Sequence, residues 1–249
     1  MKYRLNSIGG VAKRLRPSTD RIRRATAGSA LGVALLVAAL PVARAQTGPS
    51  AELMRAVRVD DAHALRTALL RGADANARDE FGDPVIVAAA KAKAWSAVRA
   101  LAELRGTDLE ATTKDGVNVL MIAALHGERP VVEFLLARKA EVNKTGWTPL
   151  HYAAANGHVE VVRLLIERHA YIDAESPNGT TPLMMAARQA KPTTARLLVE
   201  EGADPTPRNE SGYDAAGYAK AAGDPALAEW LAERAKDFRR RYGTFTPNR

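Results

Sequence analysis

Cysteine is missing from all 249 residues. This removes disulfides, thiolate nucleophiles and cysteine-ligated metal sites together, so stability must come from packing and hydrogen bonds. A charge of one sign is missing too, once the chain is divided. The formal net charge is +8, but residues 1–45 hold nine of the cations (Lys2, Arg4, Lys13, Arg14, Arg16, Arg21, Arg23, Arg24 and Arg44) against one acid, Asp20. Residues 46–249 are left with 27 basic and 27 acidic side chains. A uniformly basic chain would point to nucleic acid or an anionic membrane. A neutral remainder withdraws both.

Catalytic signatures are also lacking. There is no Gly-x-Ser-x-Gly elbow, no phosphate-binding glycine loop and no dinucleotide fingerprint. The five histidines (His63, His126, His151, His158 and His169) include no pair at i, i+4 with a carboxylate, as a zinc-binding helix needs. The acid pairs Asp60-Asp61, Asp79-Glu80 and Glu200-Glu201 are sequence neighbours, which do not face one another on a helix. No enzyme, metal or cofactor is expected.

What is present begins with a leader pattern. A basic region ends at Arg23-Arg24, an apolar core runs from Leu31 to Leu40, and Pro41 breaks it before Ala43-Arg44-Ala45, a small-x-small cleavage pattern. The uncharged run Ala25 to Leu40 has 16 residues, short of the ~20 that span a bilayer. Residues 1–45 are therefore expected to be a signal peptide cleaved after Ala45, with no membrane contact afterwards and a periplasmic destination. The alternative is an uncleaved leader that tethers the chain to an inner membrane. The Ala- and Arg-rich composition with this leader fits a Gram-negative bacterium. Residues 46–50 read as a linker and 243–249 as a C-terminal tail.

The most informative stretch runs from Gly146 to Leu165, GWTPLHYAAANGHVEVVRLL. Thr148 can cap a helix, and Pro149 suits its first turn. Ala153 and Ala154 allow a close neighbour, and Gly157 can end the helix with positive φ. Val161, Val162, Leu164 and Leu165 recur at helical spacing as the buried stripe of a second helix. The unit returns. Gly82, Gly116, Gly146, Gly179 and Gly212 stand 34, 30, 33 and 33 residues apart. One extra residue falls near Leu101–Gly106, and the join Val142–Gly146 is three residues short, which should truncate one finger.

Thr-Pro-Leu-His-x-Ala-Ala, the helix-ending Gly, the Val-Val-x-Leu-Leu run and the recurring Gly-Ala-Asp (Gly72 to Asp74, Gly202 to Asp204) resemble the ankyrin repeat, whose period is about 33 residues. The resemblance covers Ala51 to about Ala235. It implies an all-α solenoid of about six helix-turn-helix repeats with short β-hairpin fingers, near 51–79, 80–113, 114–143, 144–176, 177–209 and 210–242. The first repeat, with Asp60 in the glycine slot, and the last, prolonged through Tyr242, read as caps.

The resemblance also implies a binding scaffold whose protein partner lies on the concave face. The slots are Asp83, Val117, Trp147, Thr180 and Tyr213 on the finger side, and Lys91, Leu125, His126, Asn156, Arg188 and Gln189 on the helix side. Aromatic residues dominate many interfaces, which singles out Tyr213 and Trp147; Trp147 is open between partner contact and packing on an adjacent turn. Trp95 and Trp230 are read as packing residues, and His151 as a buttress of its turn. The basic end, Lys236 to Arg241, reads as a solvated helix terminus. A monomer is expected. Exported bacterial proteins resembling this one are linked to peroxide defence beside a catalase; escort of a secreted toxin or effector is the other reading.

Overall fold

The computed structural model describes residues 51–243, and the leader and tail expectations lie outside them. These residues form twelve helices in six antiparallel pairs. They are α1 (Ala51–Arg58) with α2 (Ala62–Leu70), α3 (Val85–Lys91) with α4 (Trp95–Glu103), and α5 (Val119–His126) with α6 (Arg129–Ala137). Then come α7 (Pro149–Asn156) with α8 (Val159–Glu167), α9 (Pro182–Arg188) with α10 (Pro192–Glu200), and α11 (Ala215–Ala221) with α12 (Pro225–Tyr242).

The helices stack in two rows. From the second pair onward, the first helices of successive pairs pack on one another more extensively than the second helices do; between the first two pairs the order is reversed. Composition explains the difference. Ala123, Ala124, Ala153, Ala154, Ala186 and Ala187 are fully buried between inner helices, and side chains that small let the axes approach. The outer row keeps larger residues at its seam, including Leu135, Leu165 and Leu198. A stack that is tighter along one row curves toward that row, so the inner helices line the concave side.

Left-handed residues punctuate the stack. Asp60, Lys93, Gly127, Gly157, Ala190 and Gly223 all have positive φ and end the inner helices. Gly72, Gly106, Lys139, His169 and Gly202 do the same after the outer helices. The extra residue lies where the spacing predicts. Leu104 is extended after α4, and the stretched end of the second pair opens a groove of about 450 Å³ beside Leu69, Leu70 and Ala100. Asp60 does more than cap the stack's end. Its carboxylate accepts the amide of Ala97 at 2.8 Å, capping α4, which has no side-chain cap of its own.

The fingers are turns rather than stranded hairpins. Among the described residues the only β pairing is one antiparallel bridge, Arg78 with Pro84. Elsewhere two backbone bonds close each turn, as from Ser176 N–H to Thr180 O (3.0 Å) and from Gly179 N–H to Ser176 O (2.8 Å). With so few residues per finger, the chain reverses before a ladder can extend. The short join before Gly146 lacks even this pair of bonds, in keeping with its three missing residues.

A side-chain ladder ties each join to the next. Asn76 accepts the amide of Asp108 (2.8 Å) and donates to Gly106 O (2.8 Å). Glu110 accepts the amide of Glu141 (2.8 Å). Asn143 accepts the amide of Tyr171 (2.8 Å) and donates to His169 O (2.9 Å). Asp173 accepts the amide of Asp204 at 3.0 Å but has no amide proton to return. Burial raises its pKa to about 6, the Asp204 amide opposes that rise, and the Asp204 charge adds to it.

Two stability predictions follow from these contacts. Because the folded pKa of Asp173 lies above its ordinary value, its cost is fully present above about pH 6 and is relieved as pH falls toward 3.8. Asp173→Asn should therefore stabilise the chain by roughly 2 kcal/mol at pH 8 and by little at pH 4, measured by urea unfolding at both pH values. Thr194 in α10 is buried, and its hydroxyl has no hydrogen-bond partner. The equivalent positions in α6 and α8 are Val131 and Val161, both buried. Thr194→Val keeps the shape and removes the stranded hydroxyl, so it should raise stability by about 1 kcal/mol, read as a higher urea midpoint with unchanged slope.

Candidate functional site

Each join presents one residue just after its glycine, and each inner helix presents another five residues later. The first column is Asp83, Val117, Trp147, Thr180 and Tyr213; the second is Ala88, Ile122, Tyr152, Met185 and Tyr218. Thr180 and Ile122 are buried, and the others make an interrupted strip along the concave side. In the fourth pair, Trp147 meets His151 edge-on with ring centroids 5.2 Å apart, and Tyr152 at 6.5 Å. Two repeats on, Tyr213 stacks on Tyr218 at 5.0 Å and 25°. The same aromatic pair thus occurs twice, with half-buried Met185 between.

His151 builds the floor beneath Trp147. It is fully buried, and its Nδ1 accepts the Thr148 N–H (3.2 Å) while the Thr148 hydroxyl lies 2.9 Å from the same nitrogen. That leaves the proton on Nε2, which donates to Thr180 O at 2.9 Å and bridges two repeats. Burial drives the pKa of His151 down to about 4, against the opposing pull of the Thr180 and Ala174 carbonyls. Burial, then the Asp115 charge, raises the Tyr152 hydroxyl.

The expected contact residues divide into groups. Thr180 is corrected: it is 1% exposed, its hydroxyl accepts from Asn209 Nδ2 at 3.1 Å, and its carbonyl holds His151. It belongs to the wall, because the neighbouring turn covers it. Asp83 and Lys91 are tied in an ion pair with each other. Val117 and Leu125 are half-buried against the core. His126 stands on the edge of Trp95 at 5.9 Å, and burial followed by the Lys93 charge lowers its pKa, while Glu128 opposes. Asn156 is exposed and donates to Tyr152 O at 3.1 Å. Arg188 and Gln189 are exposed at the end of α9.

Tyr213 is 44% exposed despite its stacking, and Trp147 is half-buried. Sequence reasoning missed Tyr152, Met185 and Tyr218. The signal was available: they lie five residues after the finger positions, large side chains on helices otherwise rich in alanine. Trp95 and Trp230 pack against the core, the latter beneath the Arg196 guanidinium at 4.5 Å. Among the described residues, no three His, Asp or Glu side chains converge on a point that could hold a metal ion. None of the described helices is long and apolar enough to cross a membrane.

Comparison with known proteins decides the family. The family model for ankyrin repeats (3 copies) matches residues 53–145, 96–176 and 138–209. The chain belongs to the ankyrin-repeat family. It is similar to human neurogenic locus notch homolog protein 2, with 36% identity over 137 residues, covering 53% of the chain and 6% of that protein. It is also similar to neurogenic locus notch homolog protein 1 of Xenopus laevis (34% over 134 residues, 53% and 5%). The Drosophila melanogaster tyrosine-protein kinase Shark matches at 34% over 128 residues (50% and 14%). The chain spans only a small fraction of these relatives, so what it shares with them is the repeat. Ankyrin repeats indicate a protein–protein interaction scaffold, and the family is typically non-enzymatic.

The bridge at His151 sets a pH prediction. Its folded pKa lies below the ordinary value, so its contribution is complete above about 6.5 and is lost as pH falls toward 4. Over that window wild type should lose on the order of 3 kcal/mol from this group. His151→Gln should be less stable at pH 8 and should show a shallower acid decline than wild type. Urea unfolding from pH 8 to pH 4 measures both.

Proposed function

We propose that this ankyrin-repeat protein is a non-enzymatic scaffold of the bacterial cell envelope that holds a protein partner along its concave strip. The observation that carries the reading is the twice-repeated aromatic pair, Trp147 with Tyr152 and Tyr213 with Tyr218, accessible on a pre-ordered surface. Rings of this kind bury large area at low entropic cost, which suits them as anchors. Stacked repeats are ordered before binding, so association loses little conformational freedom. The leader pattern of residues 1–45 supports export, cleavage after Ala45 and a periplasmic location. The neutral remainder supports a protein partner over nucleic acid or membrane. We assign no cofactor, and a monomer.

Crosslinked capture from envelope extract tests the reading, with tagged wild type beside the Trp147→Ala/Tyr213→Ala variant. A partner held by wild type should bind the folded variant more weakly by over ~2 kcal/mol, measured by titration. Equal affinity would move the site off the strip. The mass of the protein recovered from cells reports cleavage at Ala45.

A further inference from the structure

The four side chains of the ladder differ in what they can give. Asn76 and Asn143 each make two bonds to the following join. The side-chain oxygen accepts one amide, and the side-chain nitrogen donates to the carbonyl two residues earlier, Gly106 for Asn76 and His169 for Asn143. The other two links are carboxylates. Glu110 accepts the amide of Glu141 with one oxygen, and its other oxygen takes Asn118 Nδ2 at 3.0 Å and Lys144 Nζ at 3.4 Å. Its charge is matched. Asp173 accepts the amide of Asp204 with Oδ1 and makes no ion pair among the described residues. By the register of the ladder, the carbonyl paired with its other oxygen is that of Gly202, two residues before Asp204. An acceptor is matched with an acceptor.

The elements that meet at this link do not relieve it. Arg168 at the end of α8, Glu201 at the end of α10 and Lys144 on the preceding join are committed to Glu133, Arg163 and Glu110. From α7 the His151 ring is turned to the carbonyls of Thr180 and Ala174, the latter next to Asp173 in sequence. His169, Tyr171, Glu175 and Glu200, on the same join and the adjoining helix ends, are exposed. Asp204 is the group whose charge acts on Asp173, and it has the same sign.

We propose that Asp173 is a proton-operated latch, in which a proton taken from solvent onto its free oxygen becomes the donor to Gly202 O. This last link among the described residues then has one bond when charged and two when neutral, as at Asn76 and Asn143. The join it closes runs on to Asn209, which accepts the Tyr213 amide at 3.1 Å and donates to the Tyr218 hydroxyl at 2.6 Å. The latch therefore bears on how firmly the second aromatic pair is held. It belongs to the fold and stands whether or not a partner occupies the strip. Opening the link returns Asp173 to water, where its pKa falls from about 6 to the ordinary 3.8. The proton thus favours the closed join, and its hold grows as pH falls through 6.

Residue-resolved amide hydrogen exchange of the full chain tests the latch at Asp204, beside the same amide in Asp173→Asn. Comparing the two proteins at one pH cancels the acid response of His151, which both share. The wild-type protection at Asp204, divided by that of the variant, should rise about tenfold from pH 8 to pH 5. Protection of Asp108, which is held by Asn76, should be equal in both proteins throughout. The carbon shift of the Asp173 carboxyl should titrate with a midpoint near 6. Asp204→Asn keeps the amide that Asp173 accepts but removes the neighbouring charge, so it should lower that midpoint. A protection ratio unchanged between pH 8 and pH 5, a midpoint at the ordinary carboxylate value, or a midpoint unmoved by Asp204→Asn would overturn the proposal.

Discussion

No helix pair in this chain can bury its apolar face alone, so every pair must present that face to its neighbours at a fixed chain interval. The backbone meets this condition even where the side chain resists it. Asp60, Lys93, Lys139, His169 and Ala190 adopt left-handed conformations at helix ends where other repeats use glycine. The extra residue near Leu104 and the missing residues before Gly146 are absorbed in loops, and the helices stay in step. Packing of the repeat sets the conformation of each turn, and local preference gives way to it.

Register and the aromatic strip share parts. His151 holds the turn of its own repeat through Thr148, reaches the next repeat through Thr180 O, and supports the Trp147 ring. The Asn76, Glu110, Asn143 and Asp173 ladder does comparable work on the joins. The aromatic strip is accurate because these links fix the relative position of successive turns. A strip assembled from one residue per turn and one per inner helix has no precision of its own.

Much of this was legible in the sequence because the signals are local. Glycine period, helix caps and the Val161–Leu165 stripe each act within one turn or one helix, and they placed both irregular joins correctly. What was not legible depends on neighbours in space. Thr180 looks like a surface residue until the next turn covers it and Asn209 claims its hydroxyl. Asp60 reads as a degenerate cap until it is seen to bond Ala97 in the following repeat. The fingers carry a hairpin's turn chemistry without the length for strands. Tyr152, Met185 and Tyr218 lie on helices whose outward side is set by the stack's curvature.

The left-handed residues at the outer helix ends have a practical meaning. Lys139 and His169 each hold a conformation that costs a side chain on the order of 1 kcal/mol more than glycine. Both are exposed, and both lie across the helix pair from the aromatic strip. Robustness and surface are therefore separately adjustable here: the outer edge can change how firmly the stack stands while the inner face keeps the same rings in the same order.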